Sequence, residues 1–262
     1  MGENRHNMKD YDESYRDFKI EVPEYYNFGF DVVDEWARKD RNKLAMIWTD
    51  QKGNEKKFTF WDLMGLSNAA ANILLKHGIH KGDRVMLMLH RVPEWWILTL
   101  ALIKLGAVVS PGPTMLTSKD IRYRIELGQF KMVITDLETA PKVDAIYSEC
   151  ESLMSRMVVD GSRDGWISYQ EELTYPAPVS HRLIQLPGMS RTRSTDPMII
   201  FFTSGTTGEP KMVLHDQSYP LGHIVTAALW HDLRHNDLHF TLSDTGWAKS
   251  AWGKIFGQWI QG

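Results

Sequence analysis

The sequence predicts an α/β fold, with mixed or parallel strands and packed helices, and three observations predict it. From residue 28 onward, short β-rich runs alternate with longer helical stretches. The helical stretches carry their own start and stop residues. Near residue 200, two short apolar runs, Met198-Ile-Ile-Phe-Phe202 and Met212-Val-Leu-His215, flank a loop of small hydroxyl residues and glycines.

In chain order, residues 1–27 read as an N-terminal arm. The first sixteen residues are polar and charged, resembling neither a signal peptide nor an anchor, while Tyr15, Phe18, Ile20 and Val22 are spaced to dock an ordered arm. Thr59-Phe-Trp-Asp62 has the form of a capping box ahead of a helix over 63–76, and Gly78 stands where a helix C-cap belongs. Residues 84–89 read as a strand. Pro93 opens the next helix at a position where its missing N–H costs little, and Gly106 closes it. The apolar run 95–105 is interrupted by Lys104 and is too short to cross a bilayer, so it predicts a buried helix. Residues 107–109 resume the strand pattern. Thr117 or Ser118 caps a third helix to 127, residues 132–135 form a strand, Pro141 starts a fourth helix, and 157–159 form another strand. Residues 162–195, with Pro176, Pro178 and Pro187, break the alternation and predict a surface excursion at a subdomain seam. The sheet resumes at Met198, and 238–242 read as a later strand. No repeat of fixed period is present.

Composition bounds the function. The chain has 262 residues, 43% hydrophobic, and a net charge of −3, enough to bury a core in one or two globular domains. Its 30 Lys and Arg against 33 acids, without a long basic block, point to neither nucleic acid nor an anionic membrane as partner. A single cysteine, Cys150, excludes an intramolecular disulfide and fits a reducing compartment, for which the cytoplasm is the default expectation.

The chemistry concentrates in Thr203-Ser-Gly-Thr-Thr-Gly-Glu-Pro-Lys211. Thr203, Ser204, Thr206 and Thr207 bring hydroxyls, and Gly205 and Gly208 let the backbone adopt positive φ and aim N–H groups at phosphate oxygens. Lys211 adds a mobile cation. A Walker loop would need Gly-Lys-Ser/Thr running directly into a helix. Here Glu209 and Pro210 separate the last glycine from the lysine, and a strand pattern follows, so the geometry is strand, loop, strand. A plain flexible hairpin connection is the alternative that composition alone allows. His231, His235 and His239 recur at four-residue spacing like metal ligands, but Asn236 and Asp237 end any helix before His239. The spacing is therefore accidental and no metal site is expected.

The string from Phe202 through Lys211 resembles the phosphate-binding motif of the AMP-forming adenylate synthetases. Lys81-Gly-Asp-Arg-Val85, Arg91-Val-Pro-Glu-Trp-Trp96 and Ser243-Asp-Thr-Gly-Trp247 are similar to the acyl-CoA synthetase branch, and within it to the medium-chain enzymes. The resemblance covers essentially residues 28–262. It implies the N-terminal domain of an adenylate-forming enzyme, in part only: the adenine and ribose contacts and a small C-terminal domain with its lysine lie downstream in the family. Trp252, Ile255, Phe256 and Trp259 form an apolar face close to the last residue, so a truncated product, unable to complete thioester synthesis alone, is expected. The implied reaction is ATP-dependent activation of a short- to medium-chain fatty acid to acyl-AMP and then acyl-CoA. A non-catalytic remnant and an adenylating enzyme that does not use CoA are the alternatives. ATP, Mg²⁺ and CoA are the implied cofactors. By the same resemblance Thr203, Ser204, Gly205, Thr206, Thr207, Gly208, Glu209, Pro210 and Lys211 hold the ATP phosphates, with Lys211 and Thr206 acting in catalysis. Trp247 lies against the carboxylate being activated, its alternative being a core tryptophan, and Met115 lies near the CoA entry side, in a loop that its prolines also explain as a simple turn. The second motif, with its tryptophans, is a core helix.

Overall fold

A computed structural model describes residues 6–174, 191–204 and 208–262. Ten α-helices occur among them: α1 (Tyr11–Asp17), α2 (Asp34–Lys39), α3 (Phe60–Lys76), α4 (Pro93–Leu105), α5 (Ser118–Gly128), α6 (Ala140–Asp144), α7 (Tyr169–Thr174), α8 (Tyr219–Ile224), α9 (Ala248–Ala251) and α10 (Gly257–Gln261). The strands are β1 (Leu44–Thr49), β2 (Glu55–Thr59), β3 (Arg84–Met88), β4 (Val108–Pro111), β5 (Met132–Thr135), β6 (Ser155–Val158), β7 (Ile167–Ser168), β8 (Pro197–Thr203) and β9 (Lys211–Asp216). β1 and β2 form an antiparallel hairpin. The other seven make one sheet in the order β7-β6-β5-β3-β4-β8-β9, parallel except for β9, which returns antiparallel to β8.

Strand side chains alternate between two cores. Val85 and Leu87 of β3 join one cluster with α3 and α4, while Met86 and Met88 join another with Ile121 and Ile125 of α5 and Val143 of α6. β5 divides in the same way, with Met132 and Ile134 on one face and Val133 on the other. A sheet covered on both faces needs continuous apolar strands, which is the pattern these runs show.

The local signals act where they stand. Thr59 and Asp62 complete a reciprocal capping box on α3, as Thr117 and Asp120 do on α5. Gly106 ends α4 in the left-handed region at φ 68. Every residue of α4 except Glu94 is buried, including Lys104, whose Nζ lies 2.7 Å from Asp34 Oδ1 on α2 and 2.8 Å from Asn68 Oδ1 on α3. Burial is the main influence on both charged groups, raising the Asp34 carboxyl and lowering the Lys104 ammonium from their ordinary values.

Four expectations need correction. Tyr15, Phe18, Ile20 and Val22 are exposed. The arm is held instead by polar contacts: Asn7 donates from Nδ2 to the Ala228 and Leu233 carbonyls, and Tyr25 bridges to Arg193. Residues 238–242 form no strand, because no neighbouring strand pairs with them and Leu238, Phe240 and Leu242 face solvent. The apolar face near residue 259 is covered: Ile255, Phe256 and Trp259 are buried, with Phe28 packing edge-on to Phe256 and stacked on Trp259. The break at 162–195 also contains β7, paired parallel to β6, and α7. Its Pro176, Pro178 and Pro187 lie outside the described residues.

Candidate functional site

The parallel strands all end on one edge of the sheet, and the functional segments collect there. The connection from β3 leads to β4 on one side, that from β5 leads to β6 on the other, and β3 and β5 are neighbours. Such a reversal of direction opens a crevice at the carboxyl ends of the two strands, where ligands of open α/β sheets bind. His90 follows β3 and Asp136 follows β5, with Nε2 and Oδ2 separated by 3.7 Å.

The phosphate-type loop leaves the same edge from β8. That strand is buried from Met198 through Phe201 and emerges at exposed Thr203, which pairs across the sheet with exposed Lys211 at the start of β9. The strand, loop, strand geometry expected from Pro210 is therefore present. Thr203, Ser204 and Lys211 are exposed, and Gly208 has φ +97 with open space around the position of a Cβ. Glycine is needed at 208 for its backbone conformation rather than for close packing. Glu209 is exposed and Pro210 half-buried. Gly205, Thr206 and Thr207 lie outside the described residues. Tyr123 of α5 donates its hydroxyl to the Pro210 carbonyl at 3.2 Å, a contact that nothing local in the sequence marks.

Two further predicted segments meet on this edge. Thr245 is buried and donates its hydroxyl to the Leu89 carbonyl just beyond β3. A Cβ on Gly246 would lie 2.1 Å from the Pro113 backbone nitrogen. Residues 243–247 therefore lie directly on the proline loop after β4, which carries Met115. Asp244 shapes the turn by accepting from the Gly246 N–H at 3.0 Å, and Lys254 donates to the Ser243 carbonyl at 2.7 Å. Burial is the main factor holding the Lys254 ammonium below its ordinary value, with Arg91 adding repulsion. Trp247 is 59% exposed and Met115 77% exposed. Trp247 is thus no core residue in this structure. Trp95 and Trp96 of α4 are, packed edge to face at 5.1 Å between ring centroids.

The three histidines at four-residue spacing do not share a helical face. The helical backbone ends at Trp230, His231 and His239 contact each other through their rings at 5.0 Å, and the His235 carbonyl accepts from Lys43. Among the described residues no group of three His, Cys, Asp or Glu could hold a metal ion, and no helix is long and apolar enough to cross a membrane.

With a hydroxyl- and glycine-rich loop between β8 and β9 at the carboxyl edge of the sheet, the family model described as AMP-binding enzyme matches residues 33–260. The chain belongs to that family. It is 42% identical over 264 residues to the mitochondrial acyl-coenzyme A synthetase ACSM3 of Mus musculus, covering 98% of this chain and 44% of the relative. It is 43% identical over 249 residues to the mitochondrial acyl-coenzyme A synthetase ACSM5 of Homo sapiens, covering 92% of this chain and 42% of the relative. The crystal structure of an acyl-CoA synthetase from Brucella canis superposes with a TM-score of 0.82 at 23% identity, over 97% of this chain and 47% of that one. The chain thus spans less than half the length of the relatives it matches. The Mus musculus and Homo sapiens synthetases are mitochondrial, which overturns the expectation of a cytoplasmic protein. A lone buried Cys150 restricts redox chemistry, not address.

Proposed function

We propose that this chain provides the phosphate-binding and acid-facing part of an enzyme that activates a carboxylic acid with ATP. The product of the first half-reaction is the acyl-adenylate with release of pyrophosphate, and CoA thiolate then displaces AMP to give the thioester. The single observation that carries this reading is the β8, loop, β9 unit, which sets Lys211 opposite Thr203 at the carboxyl edge of a parallel sheet. Its open surroundings at Gly208, exposed hydroxyls and unburied ammonium suit a polyphosphate.

In this reading Thr203, Ser204 and the backbone at Gly208 orient the β- and γ-phosphates, together with Gly205, Thr206 and Thr207. Lys211 stabilises charge on the departing pyrophosphate. Mg²⁺ bound with the nucleotide would supply further charge neutralisation beside Lys211. No side chain acts as a nucleophile, so the rate derives from positioning and electrostatics. Trp247 borders the acid and the Met115 loop the CoA approach. Their contact through Gly246 and Pro113 gives both substrates one shared rim. Short- to medium-chain fatty acids are the proposed substrate class, after the motif resemblance at 81–85, 91–96 and 243–247, and the proposed compartment is mitochondrial, after the relatives named above.

The test is MgATP binding by the 262-residue chain, with carboxylate-dependent pyrophosphate exchange on acids from acetate to octanoate measured in a full-length enzyme that carries this sequence. Lys211→Ala should weaken MgATP about tenfold, the loss of one charge-assisted contact, with the fold retained. Equal MgATP affinity in Lys211→Ala and parent defeats the proposal.

A further inference from the structure

Helix α5 reaches both feet of the loop between β8 and β9. At the descending foot, the Tyr123 hydroxyl holds the Pro210 carbonyl, one residue before Lys211. At the ascending foot, the Arg124 guanidinium lies over the Phe202 ring, 4.8 Å from its centroid and one residue before Thr203.

Arg124 differs from Arg84, whose guanidinium donates to the Gly128 carbonyl, and from the ion-paired arginines around it. Arg122 is paired with Glu126 and Glu149, and Arg156 and Arg163 share the Asp144 carboxylate. Arg124 is partly buried and its Nε is shielded from solvent without a hydrogen-bond partner, with Asp120 acting on it only as a nearby charge. The acid one turn earlier, Asp120, is committed to the Thr117 cap, accepting from its backbone N–H and its hydroxyl. Burial holds the Arg124 guanidinium below its ordinary value, although an arginine stays charged at any physiological pH. Leu or Met would fill the space against Phe202 without the cost of an unpaired, half-desolvated cation. The stack with Phe202 fixes the plane of the guanidinium and leaves its fork of donors for an anion.

We propose that Arg124 is a second cation of the phosphate site, acting on polyphosphate from the foot of the loop adjoining Phe202, with Tyr123 a positioning residue for the strand that carries Lys211. This rests on the phosphate-binding reading above. Lys211 then serves as a mobile point charge, and Arg124 as a pre-oriented fork suited to two phosphate oxygens at once.

The probe is inorganic pyrophosphate with Mg²⁺, titrated calorimetrically into the parent chain, Arg124→Gln, Arg124→Lys, Tyr123→Phe and Lys211→Ala, at two salt concentrations. Arg124→Gln should lower affinity about tenfold and flatten the salt dependence, because one charged contact is lost. Arg124→Lys should fall between, keeping the charge without the fork. Thermal stability of Arg124→Gln should fall by only about 1–4 °C, the loss of the stack on Phe202, since the residue has no salt bridge to break. Tyr123→Phe should weaken pyrophosphate about threefold, the loss of a neutral hydrogen bond, and speed amide exchange at Lys211. Unchanged affinity in Arg124→Gln, with Lys211→Ala impaired, overturns the role of Arg124 and leaves the phosphate reading standing. Weakened affinity that merely follows a lowered melting temperature, and is not recovered by Arg124→Lys, also overturns it. A parent chain that binds no pyrophosphate removes both proposals.

Discussion

The most decisive perturbation of the fold is Asp34→Asn. Lys104 is fully buried in α4, and its ammonium has two side-chain acceptors, Asp34 Oδ1 at 2.7 Å and Asn68 Oδ1 at 2.8 Å. Asparagine keeps the volume and one acceptor oxygen, so the substitution removes the countercharge and little else. Removing one partner of a buried ion pair costs about 3–5 kcal/mol. The retained acceptor places this case near the lower end, about 3 kcal/mol. For a chain of this size each kcal/mol lowers the melting temperature by about 2–4 °C, so a loss of about 6–12 °C is expected. The pH dependence supplies the stricter check. Without the Asp34 charge, only neutral acceptors oppose desolvation of Lys104, and its folded pKa moves further below the ordinary value. The unfolded state then binds more protons than the folded one between the depressed value and the ordinary lysine value, so stability of the variant should rise with pH across that window. The slope approaches about 1.4 kcal/mol per pH unit for one proton. Thermal denaturation of parent and variant from pH 6 to pH 9 reads both effects. A variant that melts with the parent and shows the parent's pH profile would refute the claim that the Asp34 countercharge sustains this core.

Two further outcomes follow from the rim of the site. Gly246→Ala should destabilise the chain or displace the turn at 243–247, because its Cβ would stand 2.1 Å from Pro113 N and 2.4 Å from its Cα, and backbone cannot retreat as a flexible side chain does; a melting temperature equal to the parent's counts against the packing described. Trp247→Leu should leave stability within about 0.5 kcal/mol, as for other exposed positions, whereas a buried tryptophan cut to a smaller residue would cost about 3–5 kcal/mol. If Trp247 borders the acid, the same substitution in a full-length enzyme shifts the relative exchange rates of short and branched acids by roughly tens-fold at most, the discrimination an apolar pocket gives. A large fall in stability with an unchanged acid profile would return Trp247 to the core.

What the sequence makes legible is governed by how far apart the interacting residues lie. The capping boxes at Thr59 and Thr117 and the glycine at 106 act within a few residues, and each is found where local chemistry puts it. The phosphate-type loop is contiguous, so its hydroxyls, glycines and lysine are readable without the fold. Lys104 reads only as an interruption of an apolar run, because Asp34 and Asn68 are 70 and 36 residues away. Residues 238–242 have the alternation of a strand, but a strand exists only where another strand accepts its hydrogen bonds, and pattern alone cannot supply that partner. The exposed run that results keeps Leu238, Phe240 and Leu242 outward at the same period of two.

The rim of the site shows the same rule at the level of function. Read singly, the proline loop near Met115 is a turn and the segment 243–247 is one tryptophan among ten. Their significance comes from contact. Gly246 lacks a side chain because the Pro113 backbone occupies that space, and Thr245 is tied to the carbonyl beyond β3. The sheet delivers these two loops and the β8 to β9 loop to one edge because all three follow the carboxyl ends of parallel strands or dock on them. A substitution at Gly246 therefore acts on Met115 and Trp247 together. Measured coupling between Met115 and Trp247 variants, in the stability of this chain and in the CoA dependence of a full-length enzyme, should exceed the roughly 0.3–0.5 kcal/mol scatter that independent sites show. Strict additivity would mean that the shared rim is geometrical only.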